Sequence, residues 1–176
     1  MKNVVLNKSK KIIDYYKIIE KIDFLAERIN EDYGNTNLLV LCVMSGGMVF
    51  CGHLLCRLKP DIEFDYVHVS RYGNKTTGGD LVWLKRPSQE LNKKNVIIID
   101  DLLDQGLTLQ SIYKYCIREN VSSVKSAVLF RKQKLNSDFD VNYIGFDVPD
   151  EYIFGFGIDY KNRYRNLPDL YSVSID

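Results

Sequence analysis

The sequence predicts an α/β protein built on a mainly parallel sheet flanked by helices, and three observations predict it. LLVLCVM (38–44) and VIII (96–99) are unbroken apolar runs, as expected of strands covered on both faces. Each run ends in a polar or glycine-bearing break, SGG at 45–47 and DDLLDQG at 100–106. Helix-compatible segments follow both breaks, and strands alternating with helices imply βαβ units.

Taken in order, residues 8–33 read as helix, in one piece or two. Ile18, Ile22, Leu25 and Ile29 fall on one face, and Gly34-Asn35 supplies a stop. The strand at 38–44 and a helix-compatible MVFCGHLLCRL (48–58) come next. IEFDYVHV (62–69) reads as strand, RYGNKTTGGD (71–80) as a polar loop with little to bury, and LVWL (81–84) as strand again. VIIID (96–100) is the strongest strand signal, followed by a helix from about Leu107 to Glu119. SVKSAVLF (123–130), NYIGFDV (142–148) and YIFGFGI (152–158) complete the strands.

A chain of 176 residues with 45% hydrophobic content supports one well-cored domain. Its 24 Lys and Arg nearly cancel its 23 Asp and Glu, which leaves no footprint for nucleic acid or a membrane surface. MKNVVLNKSKK has no apolar signal region, and no apolar run approaches the roughly 20 residues of a bilayer span. The cysteines lack CxxC spacing. Cys42, Cys51 and Cys56 lie in apolar stretches and read as reduced core thiols, not a zinc or disulfide framework. A cytoplasmic location is expected.

Ligands of open α/β sheets bind beyond the C-terminal strand ends. That rule selects MSGG, RYGNKTTGGD and DDLLDQGLT. In the last, Gln105, Gly106, Leu107 and Thr108 form a strand-to-helix turn whose backbone N–H groups favour an anion. Acids just before an anion cradle repel phosphate alone. They make sense if the ligand also carries hydroxyls or a divalent metal. GxGxxG is absent, GNKTTGGD (73–80) lacks the Lys-Ser/Thr of a Walker loop, and the acids have the wrong offsets for a calcium loop.

VIIIDDLLDQGLTL resembles the phosphoribosyl-diphosphate (PRPP) motif of type I phosphoribosyltransferases. IGFDVPD, the aromatic after it, GFGIDY and RNLP are similar to the purine-binding end of the hypoxanthine-guanine members, and VMSGGMVF and SRYGNKTTGGD match their pyrophosphate and catalytic loops. The resemblance spans about 38–173. It implies the type I phosphoribosyltransferase fold: a single domain over 1–176 with a core of about 36–147, and a small hood from about 148–176 with part of 1–35.

The resemblance also implies roles. Asp100 and Asp101 contact the ribose hydroxyls with Mg²⁺ nearby, and Asp104 is the general base beside the purine imidazole. Gln105, Gly106, Leu107 and Thr108 cradle the 5′-phosphate. Ser45 and Gly46 meet pyrophosphate, at a loop where the family often has a cis peptide. Arg165 binds pyrophosphate and Asp159 ligates a second Mg²⁺, within the purine site. Lys132 donates to the purine's exocyclic oxygen, Tyr152 stacks on the ring and the Ile153 backbone reads its edge. Tyr72 belongs to the catalytic loop, and the Arg71 cation reaches toward pyrophosphate. The chemistry asks for these residue types independently. Displacing pyrophosphate builds negative charge on the leaving group, and a base must take the imidazole proton. A lid at 71–80 keeps water from the electrophilic carbon.

Simpler readings exist for some positions. Asp104 doubles as a helix-terminal acid, Arg131 is one residue from Lys132, and Tyr152 is one of twelve tyrosines. His53, His68 and Trp83 read as packing. Gln105 stands where a threonine is common, Leu107 and Ser45 where lysines are, and Arg71 where a serine is. The resulting expectation is purine salvage: PRPP and hypoxanthine or guanine give IMP or GMP plus pyrophosphate, in a homodimer or homotetramer. The alternatives are a xanthine-preferring enzyme and a non-catalytic PRPP-sensing regulator.

Overall fold

The computed structural model describes residues 2–71, 81–133 and 139–173. The strands β2 (Asn37–Met44), β3 (Asp61–Arg71), β4 (Leu81–Lys85), β5 (Asn95–Leu103), β6 (Ser123–Lys132) and β7 (Tyr143–Val148) form a six-stranded sheet in the order β4-β3-β2-β5-β6-β7. Every pairing is parallel except β3 with β4. A second, antiparallel sheet joins β1 (Lys10–Ile13), β9 (Leu170–Val173) and β8 (Tyr152–Phe154), in that order.

The continuous apolar runs are explained by two cores, one on each face of the large sheet. Alternation sends Leu38, Val40 and Cys42 of β2 to one face and Leu39, Leu41 and Val43 to the other. The helices α2 (Tyr15–Tyr33) and α3 (Gly47–Leu55) cover the first face, and α4 (Leu107–Arg118) covers the second. The Asp14 side chain caps α2 by accepting from Lys17 N at 3.1 Å, and Gly34 ends it at φ 53°. Between them Ile18, Ile22, Leu25 and Ile29 are fully buried, each contributing roughly 1.5–3 kcal/mol.

The structure corrects the sequence reading in four places. Residues 8–33 are not one helical stretch: a short α1 (Lys2–Lys8) precedes β1, and Lys10–Ile13 is a strand because it pairs with Leu170–Ser172. β5 runs past Asp100 to Leu103, so both of its acids belong to the strand. YIFGFGI is strand only over Tyr152–Phe154. Cys42, Cys51 and Cys116 are buried free thiols, whereas Cys56 is exposed where α3 ends. Trp83 packs against Tyr115 at 5.0 Å, and His53 lies between Tyr15 and Phe156. Among the described residues, no helix is long and apolar enough to cross a membrane.

Candidate active site

The loops leaving β2, β5, β6 and β7 gather at one edge of the large sheet, since these strands are parallel. Asp100 and Asp101 lie there within β5. Asp100 Oδ1 accepts from Asp101 N, and Asp101 Oδ1 from Leu102 N, both at 2.9 Å. Burial pushes the Asp100 carboxyl well above its ordinary range, and the neighbouring Asp101 pushes it further. Asp101 is also raised by burial, against a lowering pull from its hydrogen bonds and from Arg165. Two acids held this way favour a cation or hydroxyl donors beside them.

The chain then turns into α4. Gly106 takes a left-handed φ of 74°, and Gln110 N reaches Gly106 O at 2.9 Å as the first helical bond. Gly106 brings no capping side chain, so the N–H groups of the first turn of α4 face the loop without one. A concavity of about 60 Å³ lies along this turn, lined by Asp100 and by residues 102–109, with Asp104, Gln105, Gly106, Leu107 and Thr108 in its wall. Leu107 is 43% exposed, an apolar side chain at the position that the resemblance gives to a lysine.

The loop after β2 presses onto the acids. Met44–Ser45 is a cis peptide, and Ser45, Gly46 and Gly47 lead into α3. A Cβ on Gly46 would lie 1.9 Å from Asp101 Oδ2, so only glycine lets the Asp101 carboxylate lie against this loop. Gly157, at φ 99°, meets it from above: its Cβ would stand 2.5 Å from Gly46 O.

At the end of β6 two adjacent cations separate. Arg131 makes a two-point ion pair with Asp147 of β7, at 2.6 and 3.1 Å. Lys132 instead places its Nζ 3.5 Å from Asp104 Oδ1 and 3.6 Å from Asp150 Oδ1. The structure therefore joins Lys132, and not Arg131, to Asp104.

The C-terminal segment adds the last group. Ile153 is buried, which leaves its backbone, and not its side chain, for any contact outside the core. Tyr152 is 37% exposed, its hydroxyl donates to Asp159 O at 3.2 Å, and burial and Asp159 push its phenol upward. Asp159 Oδ1 pairs with Arg165 Nη2 at 2.7 Å, and Asp159 Oδ2 accepts from Asn162 N at 2.8 Å. Arg165 Nη1 also donates to Gly157 O at 2.7 Å, and Gly157 N donates back to Arg165 O at 2.9 Å. Tyr72 and the rest of 72–80 lie outside the described residues, and only the Arg71 backbone, at the end of β3, is described. Asp150, Gly157 and Asn162 join the site without having been singled out in the sequence. Gly157 stood in the quoted GFGIDY, but its contact with Gly46 spans more than a hundred residues.

Comparison with known proteins gives the family and the fold. The phosphoribosyl transferase domain family matches residues 9–161. The hypoxanthine-guanine phosphoribosyltransferase of Streptococcus thermophilus is 37% identical over 156 residues, covering 86% of this chain and 85% of that protein. Its counterpart in Bacillus subtilis is 31% identical, covering 90% and 89%. A crystal structure of a hypoxanthine-guanine phosphoribosyltransferase from Bacillus anthracis superposes with a TM-score of 0.88 at 34% identity, covering 93% and 98%. A hypoxanthine phosphoribosyltransferase structure from Staphylococcus aureus gives 0.91 at 27%, covering 99% and 96%.

Proposed function

The chain belongs to the phosphoribosyl transferase domain family, among its hypoxanthine-guanine phosphoribosyltransferases, and on that premise we propose that it joins hypoxanthine or guanine to PRPP, giving IMP or GMP and pyrophosphate. One observation carries the reading: a lysine ammonium and a carboxylate, Lys132 and Asp104, stand 3.5 Å apart beside a helix N-terminus. A 6-oxopurine presents the complementary pair, an acceptor oxygen next to an imidazole N–H.

Lys132 donates to that oxygen and Asp104 takes the imidazole proton as the new C–N bond forms. Tyr152 stacks on the ring, and the Ile153 backbone reads its edge. Backbone N–H groups of 105–108 hold the 5′-phosphate, with the Thr108 hydroxyl as a further donor. Asp100 and Asp101 accept from the ribose hydroxyls. Ser45 and Gly46 line the pyrophosphate side, where Arg165, oriented by Asp159 and Gly157 O, offsets the charge of the leaving group. Tyr72 and Arg71 keep the catalytic and pyrophosphate-side roles that the resemblance gives them.

Mg²⁺ fits this donor set. Asp100 and Asp101 are hard oxygen donors whose burial disfavours their charge, and Asp159 offers a third carboxylate. Among the described residues no three metal-ligating side chains converge, in keeping with an ion held by one or two carboxylates and the phosphates of a substrate. When bound, Mg²⁺ supplies charge neutralisation on the pyrophosphate. We read the small sheet as the hood over a core of about 36–147, and the protein as a cytoplasmic homodimer or homotetramer.

The test is a Mg²⁺-dependent assay of pyrophosphate release from PRPP with hypoxanthine, guanine, xanthine and adenine in separate reactions. The expected outcome is turnover with hypoxanthine or guanine and none with adenine. Silence with all four bases sinks the enzyme and favours a PRPP-sensing regulator.

A further inference from the structure

Lys132 closes β6 and so stands between the loops that leave its neighbours in the sheet, β5 and β7. The β5 loop supplies Asp104, and the β7 loop supplies Asp150, at 3.5 and 3.6 Å from the ammonium. The second contact is built by the register. Lys132 pairs with Val148, Gln133 N donates to Val148 O at 3.0 Å, and Pro149 then turns the chain so that Asp150 returns over the lysine. The other nearby acid, Asp147, is occupied by Arg131 through two bonds. One cation thus meets two carboxylates, each nearly half exposed, while Lys132 itself is only 18% exposed.

The purine reaction places conflicting demands on this group. Asp104 must be released from Lys132 to accept a proton, yet Lys132 must stay charged and aimed. With Asp104 as the sole partner, each binding event would strip the ammonium of its counter-ion. We propose that Asp150 is a positioning residue of the purine site: it holds the Lys132 ammonium from the β7 side, keeping it directed at the exocyclic oxygen while Asp104 turns to the imidazole. The assignment rests on Lys132 and Asp104 being the purine-reading pair.

Steady-state kinetics of the wild type, Asp150→Asn and Asp150→Glu test it, with unsubstituted purine, which lacks the oxygen, as a competitor against hypoxanthine. Asp150→Asn is expected to raise KM for hypoxanthine about tenfold, the scale of one weakened hydrogen bond to a charged group. KM for PRPP and the melting temperature stay close to wild type, since exposed ion pairs contribute little to stability. The inhibition constant of unsubstituted purine does not move, and Asp150→Glu restores most of the hypoxanthine affinity. An unchanged KM for hypoxanthine, equal rises in both KM values, or a glutamate variant as impaired as the asparagine one overturns the role. A wild type inactive with every base removes the underlying activity as well, whereas an active wild type with an unaffected Asp150→Asn removes only this inference.

Discussion

Asp100 and Asp101 sit side by side in β5, pushed toward protonation by burial and, at Asp100, by its neighbour, whereas Asp159 in the C-terminal segment is met at both oxygens, by Arg165 and by the Asn162 N–H. The strand edge is regular and electrostatically unfinished. The C-terminal segment is irregular and electrostatically complete. Its backbone is unusual: Gly155, Phe156, Gly157, Lys161, Asn162 and Tyr164 all take positive φ. The edge keeps its geometry because two apolar cores hold it, and so it tolerates an uncompensated pair that a ligand can complete. The segment above must hold its own shape, and its charges are used for that before any substrate arrives.

Substitutions can break or sharpen this contrast. The largest effect belongs to the edge. Asp104→Asn should lower kcat by about 10²–10⁴-fold, the usual contribution of a positioned base, with PRPP affinity mostly retained in equilibrium binding. Unchanged turnover would remove Asp104 from the chemistry.

Gly157→Ala tests the segment. Its Cβ meets Gly46 O at 2.5 Å and a φ of 99° strains any side chain. The cost should be about 2 kcal/mol, a drop of roughly 4–8 °C in melting temperature, together with a raised KM for PRPP because the Ser45–Gly47 loop is pushed. A variant that melts and binds PRPP as the wild type does would show that the two regions are not in register.

The smallest effect has the opposite sign. Asp100→Asn should raise the melting temperature of the ligand-free protein by about 2–4 °C while weakening PRPP binding. The pH dependence follows from the raised carboxyl. Below the unfolded-state value both states are protonated and wild type and variant differ little. As pH rises above that value toward the folded-state one, the wild type loses stability, and above the folded-state value the penalty is complete. The variant's advantage should therefore grow with pH and then level off. An advantage independent of pH would mean that buried charge is not its origin.

The contrast also decides what was legible in the sequence. LLVLCVM and VIIID announced their strands because burial on both faces leaves an unbroken apolar run. Asp100 and Asp101 stood at the C-terminal end of such a strand, and Asp104 and Gly106 in the turn after it, where a binding edge is expected. Lys10–Ile13 was misread because a four-residue strand has no periodicity of its own and exists only through Leu170–Ser172. Leu170–Val173 was missed for the same reason. The segment from Gly155 to Arg165 came to notice through resemblance alone, since no pattern rule anticipates left-handed Phe156, Lys161 or Tyr164. Asp150 was hidden in another way. Its partner is the end of a different strand, and spacing along the chain does not report that.

The small sheet has a consequence for the order in which the protein is made. Lys10 and Lys11 pair with Ser172 and Tyr171, and Tyr152 and Ile153 pair with Val173 and Ser172. A ribosome releases the first of these partners long before the last, so β1 emerges early and waits through nearly the whole of translation for β9. The parallel sheet, whose last strand ends at Val148, can close earlier. The purine side of the site is then the final piece to assemble, and a nascent chain halted before residue 170 has the phosphate cradle without a finished place for the base.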